Sequence, residues 1–266
     1  RNTKRKEVKF SLSMTKVYFP IIAYGGSCRA EFAMSTASLF VQSTQHENIS
    51  FVSTGIFFES LISRGRNSAA AAALHYECDY LLFIDADVAF DSGDVFKLIS
   101  HNKDVVCGLY TKKYYNKEKI NFLATNHPHV FKTDEWKSLA TDFTTETDPR
   151  FVSSLKAGNP LVPVKYAATG FMLIKTSVFR SIYKARPDLK YQNEVDGYMS
   201  FGDNFYNFFP SSVNPETKKY ESEDYGFCNL WRSLGGVIYV DPSIKLVHIG
   251  SQSYEGDIQK QIEVFP

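Results

Sequence analysis

Apolar and amphipathic stretches alternate along the first 110 residues of the chain. Residues 16–23 (KVYFPIIA) form an apolar run that ends in the turn-forming Tyr24-Gly25-Gly26, and a stretch with helical spacing follows. The run Tyr80–Ile84 (YLLFI) is continuously apolar, which is typical of a central parallel strand covered on both faces. The pattern predicts strands at residues 16–23, 49–53, 80–84 and 104–110, and helices at residues 29–42, 61–76 and 94–100. This alternation indicates an α/β fold with a Rossmann-like, mostly parallel sheet flanked by helices.

The pattern changes after residue 110. Residues 111–162 are polar with scattered aromatic side chains, which predicts an irregular or β-hairpin insertion. Residues 164–174 predict two short strands that meet at Gly170. Further helices are predicted at residues 176–184 and 223–234, and further strands at residues 237–240 and 245–248. We expect residues 14–266 to form one domain.

Composition narrows the class of protein. The net charge is +1, so the chain lacks the excess of Lys and Arg that binding to a nucleic-acid polymer needs. The four cysteines form no CxxC pair, and no apolar run approaches the roughly 18 residues that span a bilayer. Without a transmembrane segment or the apolar core of a signal peptide, a cytoplasmic protein is predicted. The basic residues 1–13 are expected to be a linker, or an arm that touches anionic lipid.

A pair of aspartates, Asp85 and Asp87, carries the main chemical signal, in LLFIDADVAF. The two residues lie at i and i+2 where a buried strand ends, so extended backbone would direct both carboxylates to one side. Ligands of open α/β sheets bind outside the carboxyl ends of the strands, where two acidic groups would repel each other without a cation. Oxygen ligands favour Mg²⁺ or Mn²⁺, which also bridges the phosphates of a nucleotide. The alternative is that the aspartates only end the strand and cap the next turn.

Four further sequence blocks, together with the one that contains the aspartate pair, form an ordered series along the chain. They are SRGRNSAAAAAL, DYLLFIDADVAF, AATGFMLIK, SEDYGFCNLWRSLGG and IKLVHIGS, and they span residues 63–251. In this order the chain resembles the GT-A glycosyltransferases, in particular the family-2-like enzymes encoded by bacteria, phages and large viruses, and residues 17–25 match the family's first strand. The insertion at residues 111–162 and the stretch 191–215 match no motif of the family.

The resemblance implies a GT-A fold over residues 14–266, with a nucleotide-binding half at 14–110 and a smaller, antiparallel or irregular acceptor-side portion within 111–266. It implies transfer of a sugar from a nucleotide diphosphate, UDP above all, to a hydroxyl acceptor such as a glycan. GT-A folds support both inversion and retention at the anomeric carbon, and the assignment of a general base below assumes inversion. If the source is viral, the location would be the host cytoplasm. The chain would then be a metal-dependent glycosyltransferase, complete or as one domain of a larger protein.

The resemblance also assigns residues to the nucleotide and donor sugar. The loop after the first strand would hold the base, although Tyr24 is equally explained as a turn aromatic. The arginines at the start of the 61–76 helix could bind phosphate or remain solvated, but cations are disfavoured at a helix N-terminus, which favours a function. The residues so assigned are Pro20, Ala23, Tyr24, Arg64, Arg66, Asn67, Asp85, Ala86 and Gly170.

The metal and catalytic assignments follow from the same resemblance. Asp85, Asp87 and His248 would hold Mn²⁺ or Mg²⁺, and an imidazole ligand predicts a preference for manganese; His248 could instead be structural. Asp224 would be the general base that takes the acceptor proton, with Glu223 contacting the donor or acceptor sugar. The alternative for Asp224 and Glu223 is capping of a helix start.

The aromatic residues near Tyr198, Phe201, Tyr206 and Phe208 suit stacking on acceptor sugar rings, or a local hydrophobic cluster. The alternative of a non-catalytic sugar-nucleotide or glycan-binding module with a degenerate site is the weaker one, because both the DxD and the ED motifs are intact. A DxD phosphatase of the haloacid-dehalogenase type would have its motif near the N-terminus, followed by residues such as Gly-Thr, not by Val88-Ala89-Phe90. A nucleotidyltransferase would carry a Gly-rich, basic loop after the first strand, where this chain has Tyr24-Gly25-Gly26-Ser27.

Overall fold

A computed structural model describes residues 14–145, 149–194 and 201–265. The basic segment 1–13 and Tyr198 therefore lie outside the described residues. The strands are β1 Thr15–Ala23, β2 Ile49–Phe57, β3 Tyr80–Ile84, β4 Val88–Ala89, β5 Val105–Leu109, β6 Thr111–Tyr115, β7 Thr141–Phe143, β8 Val162–Val164, β9 Phe171–Lys175, β10 Ser212–Val213, β11 Tyr220–Glu221, β12 Ile238–Lys245, β13 Val247–Ile249 and β14 Ser253–Glu255. The helices are α1 Ala30–Ser43, α2 Ile62–His75, α3 Ser92–Ser100, α4 Lys117–Asn126, α5 Glu135–Leu139, α6 Pro149–Lys156, α7 Thr176–Ala185, α8 Glu223–Ser233 and α9 Ile258–Val264, with 3₁₀ turns at Pro128–Lys132 and Pro187–Leu189.

The central sheet has seven strands in the order β2-β1-β3-β9-β5-β12-β8. Strands β2, β1, β3, β5 and β12 run in one direction, because β1 pairs in parallel with β2 and β3, β12 pairs in parallel with β5, and β9 is antiparallel to both β3 and β5. Strand β8 is antiparallel to β12 at the edge. The sheet is thus mixed and mostly parallel, which confirms the predicted α/β fold class.

The alternation of side chains along β3 divides the core into two layers. Leu81 and Phe83 belong to the buried cluster that includes α2, whereas Leu82 and Ile84 belong to the cluster that includes α1 and α3. The consecutive alanines 69–73 of α2 are fully buried, and their small size lets that helix lie close to the sheet. The burial of every residue of β3 explains its continuous apolar sequence.

Residues 111–162 differ from the prediction. Strands β6 and β7 do pair antiparallel, but helices α4, α5 and α6 also form in this segment. Helix α4 buries only Leu123, and the small satellite cluster to which it belongs contains four buried residues. A helix with one buried position has almost no apolar periodicity, so the sequence pattern missed it.

The strands predicted on either side of Gly170 do not meet there. Strand β8 pairs with β12 at the sheet edge, whereas β9 lies between β3 and β5 in the centre. Local sequence predicts a strand but not its neighbours, since pairing depends on distant residues.

A second sheet, in the order β14-β13-β4, begins just after the Asp85–Asp87 loop. In it, His248 of β13 pairs with Val88 of β4, so the C-terminal HIGS block lies beside the aspartate pair. None of the helices in the described ranges is long and apolar enough to cross a membrane.

Candidate functional site

A cleft of about 680 Å³ opens at the carboxyl ends of β1 and β3, beside the start of α2. Six of the residues assigned from sequence line it, namely Ala23, Tyr24, Arg66, Asp85, Ala86 and Asp87. A concave site at the carboxyl ends of parallel strands is where α/β folds bind ligands.

The loop at residues 85–87 is held by backbone hydrogen bonds from three directions. Asp85 N–H donates to the Gly170 carbonyl at 3.1 Å, and Arg29 N–H donates to the Ala86 carbonyl at 2.9 Å. Ile249 N–H donates to the Asp87 carbonyl at 2.8 Å. These contacts come from distant parts of the chain, so the fold itself sets the positions of the two carboxylates.

Arg66 connects the aspartate loop to the start of α8. Its Nη2 lies 3.1 Å from Asp85 Oδ1 and its Nε lies 3.2 Å from Glu223 Oε1. The Arg66 side chain is 6% exposed, and its guanidinium lies 5.2 Å from the centre of the Phe83 ring. Burial disfavours the charge on Arg66, but Asp85 and Glu223 outweigh that effect and raise its pKa. A permanent positive charge therefore holds the DxD and ED motifs together.

Asp87 has different partners from Asp85. The Lys113 ammonium donates to Asp87 Oδ2, and His248 Nε2 lies 3.5 Å from Asp87 Oδ1. Burial disfavours the charge on Asp87, but His248 and Lys113 outweigh it and lower the pKa of Asp87 to about 2. The carboxylate is thus ionised at any physiological pH.

The hydrogen bond at His248 Nδ1 determines the tautomer of the ring. His248 Nδ1 lies 2.7 Å from the Thr111 carbonyl, which accepts hydrogen bonds only, so we assign the proton to Nδ1. In the neutral imidazole Nε2 then carries a lone pair, so a hydrogen bond from His248 to Asp87 Oδ1 requires a proton on Nε2 as well, in the place that a cation would take. Two electron-pair donors that face one another suit a shared cation, and a carboxylate with an imidazole suits Mn²⁺.

The predicted set of three metal ligands is brought together only in part. Among the described residues, no three His, Cys, Asp or Glu side chains converge on one point. Asp87 and His248 are adjacent, whereas Asp85 faces Arg66. Ions of this class commonly use one or two protein ligands together with nucleotide phosphates, so the chemistry of Asp87 and His248 fits such an ion.

Asp224 lies at the first turn of α8. Its Oδ1 accepts hydrogen bonds from the Ser222 hydroxyl and from Tyr225 N–H, the latter at 2.8 Å. Burial raises the pKa of Asp224, and the neighbouring Glu223 charge acts in the same direction, although Ser222 opposes it. A carboxylate with a raised pKa is a stronger base than an ordinary aspartate, which suits proton abstraction.

Three of the residues assigned to the nucleotide and donor sugar neither line the cleft nor contact its aspartates. Arg64 pairs with Glu59 at 2.7 Å. Asn67 Oδ1 accepts from Phe209 N–H at 3.1 Å and Asn67 Nδ2 donates to Asn207 Oδ1 at 3.1 Å, so Asn67 supports residues 207–209. Pro20 lies within β1, opposite Thr54.

The aromatic stretch forms a hydrophobic cluster in its described part. Phe201 and Phe208 are buried, and Tyr206 stacks on Tyr183 with 5.4 Å between ring centres. Of the two alternatives for this stretch, the arrangement matches a local hydrophobic cluster and not a surface for stacking on acceptor sugar rings.

Three residues of the site were missed by the sequence analysis. Arg29 lines the cleft, Lys113 binds Asp87, and the Tyr110 hydroxyl accepts from Gly170 N–H at 3.2 Å. No motif marks these positions; only their location beside predicted strand and helix ends could have suggested them.

Comparison with known proteins adds only a weak likeness in fold. No protein-family profile and no curated protein matches the chain. Among solved structures, the chain is similar to 4-diphosphocytidyl-2C-methyl-D-erythritol synthase from Anaerococcus prevotii, with 11% sequence identity and a TM-score of 0.31, over 82% of this chain and 96% of that one. A likeness at this level supports no conclusion about activity, so the functional argument depends on the geometry of the site.

Proposed function

We propose that the protein is a glycosyltransferase that takes a sugar from a nucleotide diphosphate, with UDP as the first candidate nucleotide, and transfers it to a hydroxyl group of a glycan. One observation carries the proposal. Arg66 bridges Asp85 and Glu223, which lie 138 positions apart in sequence, and so joins the cleft to the acidic helix start. A donor site and a general base must be adjacent for direct transfer to an acceptor.

The cleft is the proposed donor site. Tyr24, which is 68% exposed at its rim, offers an aromatic face to a nucleobase. Gly170 packs against the Tyr110 hydroxyl and Asp85, so the backbone comes close to the place proposed for the donor sugar. Pro20, Arg64 and Asn67 would contribute to this site only indirectly, through the strands and helix that form its walls.

Asp224 is the proposed base. Its Oδ1 is occupied by Ser222 and Tyr225, and Oδ2 has no hydrogen-bond partner among the described residues. In the proposed step, the acceptor oxygen bonds to the anomeric carbon as its proton moves to Asp224 Oδ2. The bond between that carbon and the phosphate oxygen breaks, and the electron pair leaves with the diphosphate. Glu223, held by Arg66, would orient the sugar from the side of the cleft.

Asp87 and His248 are the proposed ligands of Mn²⁺ or Mg²⁺, with Asp85 available from the same loop. When bound, such an ion supplies positive charge that stabilises the departing diphosphate. The Thr111 carbonyl keeps the His248 proton on Nδ1 and so leaves Nε2 available as a ligand.

A melting panel tests the donor site. The full chain is heated with UDP, GDP, dTDP or CMP, each with and without Mn²⁺, as the wild type, as Asp87→Ala and as the control Asp134→Ala. Asp134 is 82% exposed, lies just before α5 and forms an ion pair with Lys137 of that helix, so its removal should change nothing at the cleft. We expect one nucleotide diphosphate with Mn²⁺ to raise the midpoint by several degrees in the wild type and control, and not in Asp87→Ala. Absence of a nucleotide effect in the wild type would contradict the donor site.

A product assay separates transfer from the alternatives. Incubation with the sugar conjugate of the selected nucleotide should release nucleoside diphosphate, and more of it when an acceptor glycan is present. Release of pyrophosphate from a nucleoside triphosphate would indicate a nucleotidyltransferase, and release of inorganic phosphate from sugar phosphates would indicate a phosphatase. Nucleotide binding without any release would indicate a binding module.

A further inference from the structure

Lys113 places a positive charge where the proposed function requires a metal ion. Its ammonium donates to Asp87 Oδ2, on the same carboxylate that His248 approaches from Oδ1. A divalent ion on Asp87 and an ammonium on the same carboxylate would repel one another. Lys113 therefore competes with the ion for Asp87.

The surroundings of Lys113 allow it to move. The side chain is 35% exposed, and it extends from β6, whose pairing with β7 shifts in register between Thr111 and Tyr115. The four-carbon stem of lysine has several rotatable bonds, so the ammonium can change partner without a change in the backbone. Its stem passes Gly250, where a Cβ would lie 3.1 Å from Lys113 Cδ, so the absence of a side chain at Gly250 gives it room.

A second cation borders the same region. Arg29 lines the cleft, and its Nη2 donates to the Gly250 carbonyl at 2.9 Å. Lys113 and Arg29 therefore both contact Gly250, and Lys113 also contacts Asp87, which lines the cleft. A diphosphate bound beside Asp87 would have both the Arg29 guanidinium and the Lys113 ammonium nearby.

We propose that Lys113 is an exchangeable cation that neutralises Asp87 in the free protein and transfers to the diphosphate of the incoming nucleotide, which opens Asp87 to the divalent ion. The inference rests on the proposed function and deepens it, since it makes nucleotide and metal binding mutually dependent. By linkage, a nucleotide that removes Lys113 from Asp87 strengthens ion binding, and the ion strengthens nucleotide binding by the same factor.

The test uses the full chain as wild type, Lys113→Met and Lys112→Met. Methionine keeps the length of the stem without the charge, and the adjacent Lys112→Met controls for the general loss of one positive charge from β6. Affinity for Mn²⁺ alone is measured from the electron paramagnetic resonance signal of the free ion, and affinity for UDP alone is measured by calorimetry with EDTA present.

We expect Lys113→Met to change the affinities for Mn²⁺ and for UDP in opposite directions. Lys113→Met should bind Mn²⁺ alone about tenfold more tightly than the wild type and UDP alone about tenfold more weakly, while Lys112→Met changes either affinity by less than about twofold. If Mn²⁺ and UDP both bind but Lys113→Met matches the wild type or Lys112→Met in either affinity, the exchange is wrong and the proposed donor site stands. If neither ligand binds any of the three proteins, the donor site itself is wrong and the exchange falls with it.

Discussion

The Tyr110 hydroxyl accepts a hydrogen bond from Gly170 N–H at 3.2 Å, and this contact occupies the space in which a side chain at position 170 would lie. A Cβ there would collide with that hydroxyl and would come within 2.7 Å of Asp85 Oδ2. Asp85 in turn receives the Arg66 guanidinium. The small size of Gly170 therefore helps to set the geometry of the aspartate loop.

Gly170→Ala should lower the free energy of unfolding by about 1–3 kcal/mol, because the added methyl overfills a packed site. It should also weaken nucleotide binding through displacement of Asp85. Urea denaturation and the melting panel measure the two effects. Gly65→Ala in α2 is the matched control, since its nearest neighbour would lie at an ordinary 3.5 Å and alanine favours the helix by about 0.5–1 kcal/mol. Equal effects of the two substitutions would refute the steric argument.

Arg66→Met should lower the free energy of unfolding by about 3 kcal/mol, because it leaves Asp85 and Glu223 without their shared cation. Arg64→Met, in the same helix, removes a pair whose arginine side chain is 44% exposed and should cost less than about 1 kcal/mol. Chemical denaturation of both variants checks the difference. Similar losses would show that Arg66 does not hold the two motifs together.

Asp224→Asn should reduce kcat by about 10²–10⁴-fold while the nucleotide-dependent melting shift persists, because the amide cannot accept the acceptor proton. The base must be ionised, so activity rises as pH rises through its pKa. Since the pKa of Asp224 is raised, the acid limb of the kcat/KM profile should lie above that of an ordinary aspartate. Ser222→Ala removes a hydrogen bond that lowers this pKa and should move the limb to still higher pH. A limb that stays in place in Ser222→Ala would argue against Asp224 as the base.

The environment of Asp94 predicts how the free energy of unfolding depends on pH. Burial, with the nearby Asp91 charge, raises the pKa of Asp94 from 3.8 to about 6. The folded state therefore binds this proton more tightly than the unfolded state, and the free energy of unfolding falls as pH rises from about 4 to about 6.

The free energy of unfolding of Asp94→Asn should not fall over this pH range. It should exceed that of the wild type by about 1 kcal/mol above pH 6 and equal it below about pH 4. Urea denaturation across this range measures it. Asp203→Asn, at a side chain that is 95% exposed, should follow the wild-type curve. A constant offset between Asp94→Asn and the wild type at every pH would contradict the assignment.

The sequence pointed only to those residues of the candidate site that lie in a recognisable motif. Asp85 and Asp87 were expected to act as a pair, but the structure gives each a different partner. The chain turns at this point, with Val88 N–H donating to the Asp85 carbonyl at 2.9 Å, so the extended geometry assumed from the i, i+2 spacing does not continue. The contact of His248 with Asp87 was anticipated by the resemblance, whereas Lys113 lies in a strand without any motif.

The sequence by itself determined the elements whose residue types reflect burial, such as the continuously apolar β3 and the alanine-rich α2, because a side chain that faces the core is mostly apolar or small. The tertiary structure alone decided that β9 lies between β3 and β5, and that Arg66 joins residues 19 and 157 positions away. Those contacts depend on which distant segments become neighbours, and the free energy that selects them comes from packing of the whole core, which no local pattern of residues records.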